Sequence, residues 1–168
     1  MSPQRSVRAL SGLFFLICIS SAQCLHAEEA ERSKNGLFPE EVLSAEDLKH
    51  EFESGAQPLL LDARNQKSFE QEHILGAELP RGEEYHRQEE LFRSGLAPSA
   101  PDADAALVQW AQTVPKDRPT VTYCNSNCHA SATLALRLKQ LGFTNVRSME
   151  EGIQSWEKKG YPVVKQGS

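Results

Sequence analysis

Two cysteines four positions apart, Cys124 and Cys128, are followed directly by His129. A thiol becomes a nucleophile when it ionises. A second thiol in the same loop can attack a persulfide or sulfenic acid on the first and close a disulfide as the sulfur or oxygen leaves. Between them Asn125, Ser126 and Asn127 are short polar residues that tolerate tight turns and left-handed backbone. The segment therefore reads as a candidate reactive loop in which either thiol could act, the plainer reading of Cys124 being a small buried hydrophobe at a strand end. The plainer reading of Cys128 is an incidental thiol or a disulfide that pins the loop. Covalent haem uses Cys-x-x-Cys-His, one residue shorter than this. A four-ligand zinc site needs more than two cysteines and a histidine. No metal or cofactor is expected.

The elements around the loop decide how the thiol is presented. Pro119 opens the apolar run Thr120-Val121-Thr122-Tyr123, which leads straight into Cys124. From Ser131 the stripe Leu134, Ala135, Leu138 and Leu141 falls on one helical face, and Gly142 stands where a helix terminates. Strand, loop and helix put Cys124 at the carboxyl end of a strand, where open α/β sheets bind their ligands. The helix N-terminus stabilises an anion there, so the Cys124 thiol is expected to ionise more readily than an ordinary one.

Further strands and helices alternate along the chain. Leu59-Leu60-Leu61-Asp62, between Gly55 and Pro58 on one side and Arg64 on the other, reads as a strand buried on both faces. Ser44 caps a helix presenting Ala45, Leu48 and Phe52. Asp102 caps one carrying Ala106, Trp110 and Val114, Val146 to Met149 is a strand, and Ile153 with Trp156 marks a last short helix. Residues 81–119 are polar and interrupted by Gly82, Gly95, Pro98 and Pro101, which predicts a variable surface region without long elements. The class is α/β with a mostly parallel sheet flanked by helices.

The amino terminus reads as a secretory signal peptide. Arg5 and Arg8 precede the apolar run Leu10 to Ile19, and small residues follow at Ser20, Ser21, Ala22 and Ala27. The run is about half the roughly 20 residues needed to span a bilayer. Cleavage after Ala22 or Ala27 is expected, then periplasmic or secreted localisation with no stable membrane insertion. The expected organisation is signal peptide 1–27, flexible tether 28–36 and one domain over 37–165. The full chain of 168 residues carries a net charge of -5. Removing the segment takes away two arginines and no acid, so the mature domain is more acidic still. Nucleic acid is excluded as a partner on that ground, because it requires clustered cationic residues.

Two ordered blocks, residues 59–80 and 120–163, resemble a rhodanese-like sulfurtransferase domain. The first carries Asp62-Ala63-Arg64, then Phe69, then His73-Ile74-Leu75-Gly76-Ala77. The second carries Tyr123-Cys124, Ser131, Leu141-Gly142-Phe143 and Gly152-Ile153-Gln154-Ser155-Trp156. The resemblance implies a three-layer fold in which Cys124 carries sulfane sulfur as a persulfide. Asn125, Ser126, Asn127, His129 and Ala130 then form the substrate-binding loop, with backbone donors for an anion. It implies a small sulfur-containing donor and a thiol or protein acceptor as partners. Asp62 and Arg64 read as a strand-end ion pair that could support the pocket, and His73 as a structural histidine. The loop departs from the family pattern at Asn127, where many members have Gly, and at His129, where many have Arg. With no Lys or Arg from Cys124 to Ala130, a dianion such as thiosulfate lacks its best side-chain donors. The other readings are a thiol/disulfide redox or sensor module using the Cys124/Cys128 pair, and a rhodanese-like binding domain without catalysis.

Overall fold

A computed structural model of the protein describes residue 33 and residues 35–167. The signal peptide expected over 1–27 lies outside the described residues. Among those that are described, no helix is long and apolar enough to cross a membrane.

Three four-residue strands form the central sheet: β1 (Leu59–Asp62), β3 (Thr120–Tyr123) and β4 (Val146–Met149), parallel and in the order β1-β3-β4. Single parallel bridges extend both edges, Glu78 beside Leu61 and Val42 beside Ser148. Every residue of β1 and β3 is buried, as required of strands covered on both faces. Alternation along β1 sends Leu59 and Leu61 into one core and Leu60 into the other.

The first core is closed by α4 (Ala103–Ala111) and α5 (Ala130–Gln140), through Leu107, Ala111, Leu134, Ala135 and Leu138. The second is closed by α1 (Ala45–Glu53) and α6 (Gly152–Lys158), through Ala45, Leu48, Ile153 and Trp156. The expected three layers result, with β3 in the middle of the sheet and Cys124 at its end.

Local signals were read correctly where they were strong. The Ser44 hydroxyl accepts from the Asp47 N–H while the Asp47 carboxylate accepts from the Ser44 N–H. The Asp102 side chain accepts from the N–H groups of Asp104 and Ala105. Gly142, at φ +92°, ends α5.

Residues 81–119 depart from expectation. Gly82–Arg93 forms the twelve-residue helix α3. Gly82 breaks nothing because it stands in the first position, after Arg81 in the left-handed region (φ +83°). Helix-forming Glu, Gln, Arg and Leu then follow, laced by Glu84–Arg87 and Glu89–Arg93 ion pairs. His86, 7% exposed, fastens the helix through Nε2 to the Pro80 carbonyl at 2.8 Å. In α4 the buried face is Leu107 and Ala111, one position on from the expected stripe. Val114 lies beyond the helix, directly before Pro115, which disfavours helical backbone there. The three-residue strands β2 (Glu72–Ile74) and β5 (Val163–Lys165), preceded by α2 (Gln66–Gln71), pair antiparallel outside the main sheet. They are too short to leave a period in the sequence.

Candidate active site

The loop from Cys124 to His129 is held from three sides. The Cys124 carbonyl accepts from the Ile153 N–H at 2.9 Å, and the Cys128 N–H donates to the Asn125 carbonyl at 3.2 Å. Asn127 turns the chain at φ +59°, a conformation in which Asn is tolerated better than most residues. Gln154, at the start of α6, staples the outer turn. Its Oε1 accepts from the Ser126 N–H at 2.7 Å and its Nε2 donates to Asn125 Oδ1 at 3.1 Å. The Ser126 hydroxyl donates to the Glu151 carbonyl.

The two thiols have different surroundings. Cys124 is 0% exposed. Its Sγ lies 3.3 Å from the carbonyl oxygens of Asn125 and Cys128 and 3.5 Å from Ser131 Oγ. The two carbonyls can accept from an S–H and can only repel a thiolate. Burial, reinforced by the Cys128 side chain, pushes the Cys124 thiol up to about 11, and the Ser131 hydroxyl and N–H pull only partly the other way. This reverses the expectation of a readily ionised Cys124. Desolvation of a fully buried sulfur outweighs the dipole of the helix that follows. Cys128 is half-buried, and its Sγ accepts from the Ala130 N–H, the first of α5, at 3.4 Å.

Competitive alkylation should therefore label Cys128 before Cys124 at neutral pH. Labelling of Cys124 in the wild type, followed by fragment mass analysis, should climb as the pH rises toward about 11. Faster labelling of Cys124 at neutral pH would contradict this environment.

Cys128 lines a pocket of about 450 Å³ together with Asn35, Val42, Asn127, His129, Glu150 and Glu151. Asn35, in the last part of the expected tether, donates from Nδ2 to Glu150 Oε1 at 2.7 Å. That orientation turns its Oδ1 to His129 Nδ1, 2.5 Å away. An amide oxygen cannot donate, so His129 Nδ1 is the donor of this bond. Among the described residues, no Lys or Arg lines this pocket. Arg64 is engaged by Asp62, Arg137 by Asp104 and Arg147 by Glu51.

Asp62 and Arg64 meet at the end of β1 and not at the thiol pocket. Arg64 Nη2 donates to Asp62 Oδ2 at 2.7 Å and to the Glu72 carbonyl at 2.5 Å, and Asp62 Oδ1 accepts from the Arg64 N–H. Tyr123 lies beside the pair, its hydroxyl accepting from the Ile74 N–H at 3.2 Å and its phenol pushed up by burial and by Asp62. His73 stacks on Phe69, with Nδ1 2.8 Å from the Phe69 carbonyl. No local pattern in the sequence marks Asn35, Glu150 or Gln154. Only their distance-bridging bonds single them out.

A family model for the rhodanese-like domain matches residues 44–159. The chain belongs to the rhodanese-like domain family. Solved rhodanese-like folds agree with it. A rhodanese-like domain from Anabaena sp. shares 20% identity over 74% of this chain and 79% of its own, with a TM-score of 0.55. A Bacillus halodurans protein shares 18% over 86% of this chain and 85% of its own, at 0.54. A thiosulfate sulfurtransferase from Pseudomonas aeruginosa shares 22% over 74% of this chain but 20% of its own, at 0.50. These likenesses establish the fold of this rhodanese-like domain. Comparison with curated proteins gives no match.

Proposed function

We propose that this rhodanese-like domain is a sulfurtransferase that carries sulfane sulfur as a persulfide on Cys124 and passes it to a thiol or other nucleophilic acceptor. The observation that carries the reading is the placement of Cys124. It ends the central parallel strand, inside a loop stapled by Gln154, with the Ser131 hydroxyl 3.5 Å from its sulfur. In the half-reaction a Cys124 thiolate attacks the outer sulfur of a donor R–S–SH. The donor S–S bond breaks, and RS⁻ leaves and takes up a proton. The acceptor thiolate then attacks the outer sulfur of Cys124–S–SH, and the Cys124 thiolate departs toward Ser131. Burial shields the persulfide from water and oxidants.

The carboxylates Glu150 and Glu151, with no Lys or Arg among the described residues of the pocket, favour a persulfide or polysulfide over the thiosulfate dianion as donor. In this reading residues 1–27 direct export, and donor and acceptor are met in the periplasmic or secreted space.

The test is intact-mass and fragment analysis of the protein exposed to a persulfide, with turnover to an acceptor thiol. The wild type should gain one sulfur on Cys124. Cys124→Ser should lose more than about a hundredfold in transfer, as expected when a nucleophile is removed. Loss of two hydrogens without any sulfur gain would favour the thiol/disulfide module, which the adjacency of the two thiols also supports.

A further inference from the structure

The sulfur that would carry the persulfide is sealed. Cys124 has no exposed surface, and its Sγ is enclosed by the carbonyls of Asn125 and Cys128 and by Ser131. A donor in solution cannot reach it in line while the loop is closed. The other thiol of the loop, Cys128, lines an open pocket.

We propose that Cys128 is a second catalytic residue, the thiol that takes the sulfane sulfur from the donor in the Asn35–His129–Glu150 pocket and hands it to Cys124. The proposal rests on the sulfurtransferase reading and assigns its first step to a residue other than the family nucleophile.

Four observations meet at Cys128. It is half-buried and lines a pocket of about 450 Å³, room enough for a small persulfide. Its Sγ receives the first N–H of an eleven-residue helix at 3.4 Å, a bond that holds the sulfur in place. The left-handed turn at Asn127 and the Cys128 N–H bond to the Asn125 carbonyl fold it back over Cys124, so that its own carbonyl oxygen stands 3.3 Å from Cys124 Sγ. The next residue, His129, lines the same pocket with its ring held through Asn35 by Glu150.

In the first step the Cys128 thiolate attacks the outer sulfur of R–S–SH, the donor S–S bond breaks, and RS⁻ leaves to give Cys128–S–SH. In the second, Cys124 sulfur attacks that same outer sulfur. The Cys128 S–S bond breaks, and the proton of the Cys124 thiol passes to the departing Cys128 sulfur, giving Cys124–S–SH and Cys128–SH. No oxidant or reductant is consumed. This order differs from a resolving role, in which Cys128 would act only after Cys124 is loaded.

The experiment is rapid-quench loading of the full chain with cysteine persulfide, alkylation, and fragment mass analysis of wild type, Cys128→Ser and Cys124→Ser. In the wild type, sulfur should appear on Cys128 first and then on Cys124. Cys124→Ser should retain sulfur on Cys128, a result that a merely structural Cys128 would not produce. Cys128→Ser should load Cys124 at least about tenfold more slowly. Loading of Cys124 at the wild-type rate in Cys128→Ser would overturn the relay and leave the sulfurtransferase reading standing. Absence of sulfur on Cys128 in Cys124→Ser would also overturn it. Absence from both thiols in the wild type would overturn the relay and that reading together.

Discussion

Gly152→Ala is expected to abolish the architecture of the cysteine loop while the rest of the sheet still forms. A Cβ at this position would stand 2.3 Å from the Ser126 nitrogen, 2.4 Å from the Asn125 carbonyl carbon and 2.8 Å from the Cys124 carbonyl oxygen. All three are backbone atoms, so no side-chain rotation relieves the overlap. The glycine also sits at φ +74°, which costs a side-chain-bearing residue about 1 to 2 kcal/mol. Overpacking adds about 1 to 3 kcal/mol. The sum, about 2 to 5 kcal/mol, is a large share of a domain's total stability of about 5 to 15 kcal/mol. The cheapest relief is for the loop to move off α6, which breaks the Ile153 bond to the Cys124 carbonyl and the Gln154 staple. A displacement of about 1 Å at reacting atoms can cost about a hundredfold in rate. Urea unfolding together with sulfur transfer to an acceptor thiol checks both effects. An unchanged midpoint with wild-type transfer would show that the loop does not depend on this close approach.

Asp62→Ala is the second large effect, and it acts on stability. Asp62 is 0% exposed and the Arg64 side chain 8%, so removing the carboxylate strands a guanidinium in the protein interior. Breaking such a pair from one side costs about 3 to 5 kcal/mol. Here it also removes the acceptor of the Arg64 N–H that caps the turn after β1. The midpoint of denaturant unfolding should fall steeply. The double variant Asp62→Ala/Arg64→Met should recover part of the loss, because it removes the orphaned charge as well. Equal stability of the single and double variants would mean that Arg64 finds solvent or another partner once released.

Much of this domain was legible in local sequence because local physics governs it. Leu59 to Asp62 and Thr120 to Tyr123 are short apolar runs bounded by breakers, and they are the two fully buried strands. The stripe through Leu134, Ala135 and Leu138, stopped by Gly142, is α5. Strand, loop and helix in that order fixed the position of Cys124 at a strand end. The caps at Ser44 and Asp102 involve partners within three residues. Where local signals competed, as at Gly82, the helix formers that followed prevailed over the breaker.

What the sequence could not decide were properties that depend on atoms far along the chain. Helix position alone predicts an acidic Cys124 thiol. Burial by loop carbonyls and core neighbours makes it a reluctant one, because the cost of desolvating a charge outweighs a helix dipole at close range. The sequence names two thiols without saying which faces solvent. Tertiary packing seals Cys124 and opens Cys128 onto a pocket whose other walls come from Asn35, Val42, Glu150 and Glu151. Asn35 reaches Glu150 across 115 positions and Gln154 reaches Ser126 across 28. No periodicity or spacing rule encodes such bonds. They exist because the parallel sheet brings the ends of β3 and β4 side by side, so that the segments leaving those strands must share one small volume.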